Sequence, residues 1–299
     1  MRWRALSVVA RSHALAAAAG GMLFLWGRMG PSGVSAQDRF ALVRDDQEQV
    51  PVEVFRPSGG RCTGVAVVSH GLAATDDSYR YLVRPLLERG WLVELVSHPE
   101  SGMGTVLNLA MTQGLKAGLA SLLTDGAMHH ARLMDVEAAR RWGVTQCRSS
   151  RSLLIGHALG AATAMIEAGA ENNLGVSGED GFTAYVWISP PGVGSMFPEH
   201  AWQRIRKPAM EIVGTVSEEV EGGGDWQARL EPYRDMPGAG GCKWLGVIDG
   251  VGNRSFSGYA GAGKAQPLTA ATVAAFADSL ASGSCALPQP LGGIDLRAK

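Results

Sequence analysis

The sequence predicts an α/β fold: a mainly parallel sheet with crossover helices. Three observations point there. Short apolar runs alternate with helical patterns along most of the chain, the signature of parallel strands joined by helices. One segment, Leu153 to Ala162, reads as a strand, a sharp turn and a small-residue helix start. The length, 299 residues with 46% apolar and 18% charged side chains, suits one large α/β domain with a substantial core. That composition excludes a disordered chain, a collagen-like repeat and a disulfide-packed miniprotein.

The expected strands are Phe40–Arg44, Pro51–Phe55, Thr63–Ser69, Trp91–Val96, Ser152–Ile155, Ala184–Ile188, Ala209–Val213 and Lys243–Ile248. Each is a short apolar run. Expected helices cover Ser78–Glu88, Met128–Trp142, Ala158–Ala170 and Leu268–Leu280. Met128, Leu133, Val136 and Ala139 fall near helical spacing, and Pro85 makes the first helix kink or start late. Between Ser101 and Gly126 lie Val106, Leu107, Leu109, Met111, Leu115, Leu119, Leu122 and Leu123. They fit either a small helical cap over the sheet's C-terminal edge or an ordinary core helix. The Gly-rich stretches Glu221–Asp225 and Pro237–Gly241 neither follow a strand nor open a helix, so they read as connectors rather than phosphate loops. Trp187, Trp202, Trp226 and Trp244 read as core or rim aromatics.

Residues 1–36 read as an export signal. Arg2, Arg4 and Arg11 precede an apolar run from Ala14 to Trp26, and Val34-Ser35-Ala36 offers small residues for cleavage. An uncleaved N-terminal anchor is the alternative. The run is short of the roughly 20 residues that span a bilayer, and no span is expected in the mature chain. The expected division is a signal over 1–36, one domain over 37–287 and a tail over 288–299, in an exported, periplasmic or secreted protein. Formal net charge is −1, and the mature part holds 23 basic against 28 acidic residues, so no nucleic-acid partner is indicated. Cys62, Cys147, Cys242 and Cys285 are scattered, with no CxxC pair. An oxidising compartment permits one or two disulfides whose pairing is open. His129 and His130 are adjacent on a helix and face different ways, so no metal site and no cofactor are expected.

The chemistry concentrates at two turns. Val65-Ala66-Val67-Val68-Ser69-His70-Gly71-Leu72 is a buried strand ending in His-Gly. Gly156-His157-Ala158-Leu159-Gly160 has the Gly-x-x-x-Gly spacing of a tight strand-to-helix turn that lifts its central residue above the sheet. With Val96-Ser97-His98-Pro99, Arg132 and Asp135, Ile188-Ser189-Pro190-Pro191, Glu211-Ile212-Val213-Gly214-Thr215, Asp249-Gly250 and Phe256-Ser257-Gly258, these segments stand in a characteristic order. Over roughly residues 50–280 the chain resembles the α/β-hydrolase superfamily, near the exported dienelactone-hydrolase-like and polyester-hydrolase-like esterases.

The resemblance implies a nucleophilic serine at the centre of the turn, an acid after Gly214-Thr215 and a histidine after Asp249-Gly250. The sequence holds Ala158, Ser217 and Asn253 at those positions. No histidine follows His200, so the last strand's loop supplies no base. Alanine has no lone pair to attack with, and asparagine does not take a proton at neutral pH. Glu218 or Glu219 can replace the acid; nothing nearby replaces nucleophile or base. The oxyanion hole of this fold uses backbone amides, here Leu72 and Leu159, and Gly71 and His157 frame it. The expectation is a catalytically degenerate α/β-hydrolase-fold protein that binds an acyl or ester-like ligand, or a protein partner. An acyl tail is expected along Leu107, Met111 and Leu115. His70, His98 and His157 are expected to be structural. Two alternatives stand: a residual esterase-like hydrolase, with Ser69, Ser97 and Ser217 as serines to examine, and a rebuilt lyase or isomerase using the oxyanion hole.

Overall fold

The computed structural model describes residues 37–59, 62–72, 74, 78–218, 225–238, 241–258 and 263–299. The expected export segment, Glu219 and most of the glycines in the two Gly-rich stretches lie outside the described residues. A single nine-stranded sheet runs through the described chain: β1 (Gln37–Val43), β2 (Gln49–Phe55), β3 (Gly64–Ser69), β4 (Trp91–Val96), β5 (Ser152–His157), β6 (Ala184–Ile188), β7 (Ala209–Gly214), β8 (Lys243–Ile248) and β9 (Asp295–Ala298). Their spatial order is β1-β2-β4-β3-β5-β6-β7-β8-β9. The pairs from β4–β3 to β7–β8 are parallel, and β1, β2 and β9 add antiparallel edges. The expected tail thus contributes a ninth strand, whose Leu296 lies opposite Gly246 of β8.

The inner strands are buried on both faces, as parallel strands flanked by helices must be. On one face α4 (Gly126–Cys147) and α5 (Leu159–Glu167) cover Val65, Val67, Leu154, Tyr185 and Trp187. On the other, α1 (Val83–Leu87) and α7 (Ala265–Ser282) cover Ala66, Val68, Ile155, Val186 and Ile212. The alternation of these residues along each strand is what splits them between two cores. Pro85 sits in the first turn of α1, which starts late as its ring requires. Asp125 caps α4 by accepting from the Ala127 and Met128 amides.

The segment between β4 and α4 folds as two short helices, α2 (Met103–Gln113) and α3 (Leu115–Leu123), hinged at Gly114 with φ 80°. Val106, Leu109 and Leu123 pack on the core, and Gly118 lies where a Cβ would come within 2.9 Å of Leu109. Disulfides join Cys62 to Cys147 and Cys242 to Cys285. The first ties the loop before β3 to the end of α4; the second ties the residue before β8 to the segment after α7. A short helix α6 (Glu231–Asp235) follows the loop after β7. No described helix is long and apolar enough to cross a membrane.

Candidate functional site

The turn between β5 and α5 passes directly from strand to helix at Ala158. Ala158 is held at φ 51°, ψ −111°, a region costing roughly 1–3 kcal/mol for a residue with a Cβ. Its flanks explain why the turn closes. A Cβ on Gly156 would lie 2.0 Å from the Gly160 carbonyl oxygen, and one on Gly160 would lie 2.0 Å from the Ser69 oxygen. Only glycine at both positions lets α5 approach β5 and β3 this closely. The Ala158 amide donates to the Ile188 carbonyl at 3.0 Å. The turn therefore presents residue 158 as the sequence predicts, but presents a methyl group, 5% exposed.

His157 does not reach past Ala158 as a base. Its Nε2 faces the backbone carbonyl of Asn253 at 3.1 Å, so that nitrogen carries the proton. Its Nδ1 then accepts from the Tyr79 hydroxyl at 2.7 Å, and Tyr79 Oη in turn accepts from the Gly71 amide at 3.1 Å. Burial lowers the His157 pKa to about 4, so the ring is neutral and both nitrogens are engaged. Tyr79 itself sits at φ 64°. The network welds the His-Gly turn, the elbow and the loop after β8 together. A Cβ added at Gly71 would lie 3.3 Å from His157 Nδ1 and 3.4 Å from the Ala158 Cβ; Leu72 is half-buried and Leu159 buried.

Asn253 thus lies beside His157, mostly buried, with its Oδ1 unpartnered. Ser217 accepts from the Trp226 amide at 3.0 Å. Its neighbour Glu218 is the carboxylate that touches the Asn253 loop: Oε2 accepts from the Arg254 amide at 3.1 Å, and Oε1 fills the space beside Gly252. Leu107, Met111 and Leu115 face solvent, 54%, 80% and 60% exposed, so they do not enclose a tail-binding channel over the elbow. A cleft of about 410 Å³ is lined by His70, Tyr79, Leu95, Ser97, His98 and Phe40 among others. No group of His, Cys, Asp or Glu that could hold a metal ion occurs among the described residues.

The structure also assembles a second constellation that sequence reasoning missed. Ser69, His98 and Asp135 are fully buried. His98 Nδ1 lies 2.7 Å from Asp135 Oδ2, and His98 Nε2 lies 2.9 Å from Ser69 Oγ. Burial pushes the Asp135 pKa up to about 6, against the pull of Arg44. Near neutral pH Asp135 is thus mainly a carboxylate, His98 Nδ1–H donates to it, and Nε2 accepts from the serine hydroxyl. Burial also holds His98 well below the usual histidine range. Arg132 Nη2 donates to Ser69 Oγ at 3.1 Å, and its other nitrogens reach Thr163 and Ser101. Arg44 bridges Asp135, Glu100 and Asp46. His70 accepts from the His98 amide at 3.0 Å and faces the Gly71 carbonyl with its other nitrogen. The sequence offered Ser69, His98, Arg132 and Asp135 only as members of separate segments, with no signal that they meet.

No protein-family model matches the chain, and no curated protein matches it in sequence. Solved structures match its architecture. A dienelactone hydrolase from Anabaena variabilis superposes with TM-score 0.56 at 13% identity, over 81% of this chain and 96% of that one. A Pyrococcus furiosus esterase gives 0.55 at 16%, over 82% and 92%. The esterase domain of a Rhodothermus marinus protein gives 0.53 at 14%, over 81% and 98%. The chain adopts the α/β-hydrolase fold. Identities this low carry the fold and not the activity.

Proposed function

We propose that this chain is an exported α/β-hydrolase-fold protein that binds an acyl or ester-like ligand without hydrolysing it. The observation that carries the reading is the methyl group of Ala158 at the strained turn where this fold presents its nucleophile. The neighbouring imidazole supports it, being neutral and committed at both nitrogens to Tyr79 and Asn253. The α5 N-terminus favours negative charge, so the Leu72 and Leu159 amides are the expected resting place of a carbonyl or carboxylate oxygen. A protein partner at the same turn is the alternative occupant. Purified protein offered short-chain nitrophenyl esters is expected to show no turnover. Acyl compounds at about 100 times Kd are expected to add roughly 2.7 kcal/mol of stability. Ester turnover with covalent labelling at a serine would overturn the reading; no shift with any acyl compound would leave the protein partner.

One observation favours a second reading, a residual hydrolase. Ser69, His98 and Asp135 have the hydrogen-bond directions of a working triad, hydroxyl to imidazole to carboxylate. Against it, Ser69 is fully buried, its oxygen already accepts from Arg132, and its backbone packs under α5 at Gly160. A nucleophile must reach its carbonyl. A fluorophosphonate probe followed by peptide mapping decides: labelling at Ser69 supports this reading, and an unlabelled Ser69 removes it.

A further inference from the structure

We propose that the α2–α3 hairpin is a lipid-docking surface that lies flat in the headgroup boundary of a bilayer. Residues 101–124 contain one ionisable side chain, Lys116, and no acid. Helix α2 has no buried residue. Met103, Leu107 and Met111 recur every fourth residue along it, and Leu115 opens α3; these four are 46–80% exposed. The other exposed large apolar side chains among the described residues are Val43, Val193 and Val216, each isolated from the others in sequence. The hairpin's internal packing uses its other side, through Val106, Leu109 and Leu123 on the core and Gly118 against Leu109. The outer stripe is therefore not required by the hairpin's own fold.

A bilayer fits this stripe better than a second copy of the chain. Helix α2 is about 16 Å long at 1.5 Å per residue, and two helices side by side are about 20 Å wide. That face is roughly 320 Å², while a stable dimer buries about 800 Å² per partner. A bilayer needs no matching area or shape, only an apolar face that enters the boundary by about 5–10 Å. With 11 and 9 residues, neither helix reaches the roughly 20 that span a membrane, so the hairpin lies in the plane. Its single charge is a cation, Lys116, with carboxylates only at its two ends, Glu100 and Asp125. This inference does not depend on what the elbow binds.

The test uses the full chain with its disulfides intact and an environment-sensitive fluorophore on Met111→Cys, with Val193→Cys as the control position. Vesicles of phosphatidylcholine with a minor share of phosphatidylglycerol are added. The expected result is a blue shift and quenching by brominated lipid at position 111 and neither at 193. Adding Leu107→Asp and Leu115→Asp is expected to weaken vesicle partitioning read at position 111 by at least about tenfold, with the near-ultraviolet circular dichroism unchanged. No shift at 111, or partitioning that survives the two aspartates, overturns the proposal. A probe at 111 that is already blue-shifted before vesicles are added also overturns it, since a second copy or the chain's own N-terminal segment then covers the stripe.

Discussion

The Nε2–H of His157 donates to the backbone carbonyl of Asn253 at 3.1 Å. The residue before the elbow centre is thereby tied to the loop after β8. The imidazole serves as a strut between two loops, and its orientation follows from the carbonyl on one side and the Tyr79 hydroxyl on the other.

That geometry predicts one tautomer. Nitrogen-detected NMR of the imidazole should show a proton on Nε2 and a bare Nδ1. The ring should not titrate between pH 6 and 8, because burial holds its pKa at about 4. A ring that protonates near pH 6.5 would mean that the strut is open in solution.

The strain at the elbow predicts opposite effects from two substitutions. Ala158→Gly relieves a backbone cost of roughly 1–3 kcal/mol while losing about 0.4–1 kcal/mol to the freer unfolded chain. The variant should be about 1 kcal/mol more stable in urea unfolding. Gly160→Ala drives a Cβ onto the Ser69 oxygen and should cost about 3 kcal/mol. Equal effects of the two changes would show that the turn is not under the strain its dihedrals indicate.

Restoring catalysis needs more than a hydroxyl. Ala158→Ser alone should give no measurable ester turnover, since no base takes its proton. The triple change Ala158→Ser, Ser217→Asp and Asn253→His should give weak turnover and labelling at position 158 by a fluorophosphonate, because triad members act as a unit. Glu218 already touches the Asn253 loop. The double change without Ser217→Asp should therefore perform about as well as the triple. Folded but inert variants would show that the loops no longer present these positions to the elbow.

Glu211 predicts the pH dependence of stability. Burial raises its pKa from 4.5 to about 8, while its Oε2 accepts from Trp187 Nε1 and the Tyr233 amide and its Oε1 has no partner. A carboxyl with a raised folded pKa holds its proton more tightly in the fold than in the unfolded chain. Its contribution is therefore fully present below pH 4.5 and is lost as pH rises toward 8. Glu211→Gln keeps an acceptor for both donors and removes the titration. Urea unfolding across that window should give a flatter profile for the variant, ending a few kcal/mol above the parent, at most about 4, at pH 8. Parallel profiles would place the titration elsewhere.

The sequence by itself determined the parallel sheet and its punctuation. Trp91–Val96, Ala184–Ile188 and Lys243–Ile248 fold with the bounds read from the sequence, because buried parallel strands are continuous apolar runs between turn formers. The elbow glycines and the alanine between them were equally legible, since tight backbone approach and a missing hydroxyl are properties of single residues. Strand β9 was not: Asp-Leu-Arg-Ala is half polar, and only pairing with β8 makes it a strand. The tertiary structure alone decided which cysteines pair, that Glu218 meets the Asn253 loop, and that Ser69, His98 and Asp135 meet at all. The reason is separation along the chain. The register of β3 against β4 puts Ser69 opposite Val96, so His98, two residues on, comes alongside. Helix α4 then docks Asp135 and Arg132 onto both. Periodicity in the sequence records which face a residue turns toward, and only the docking of elements decides what it finds there.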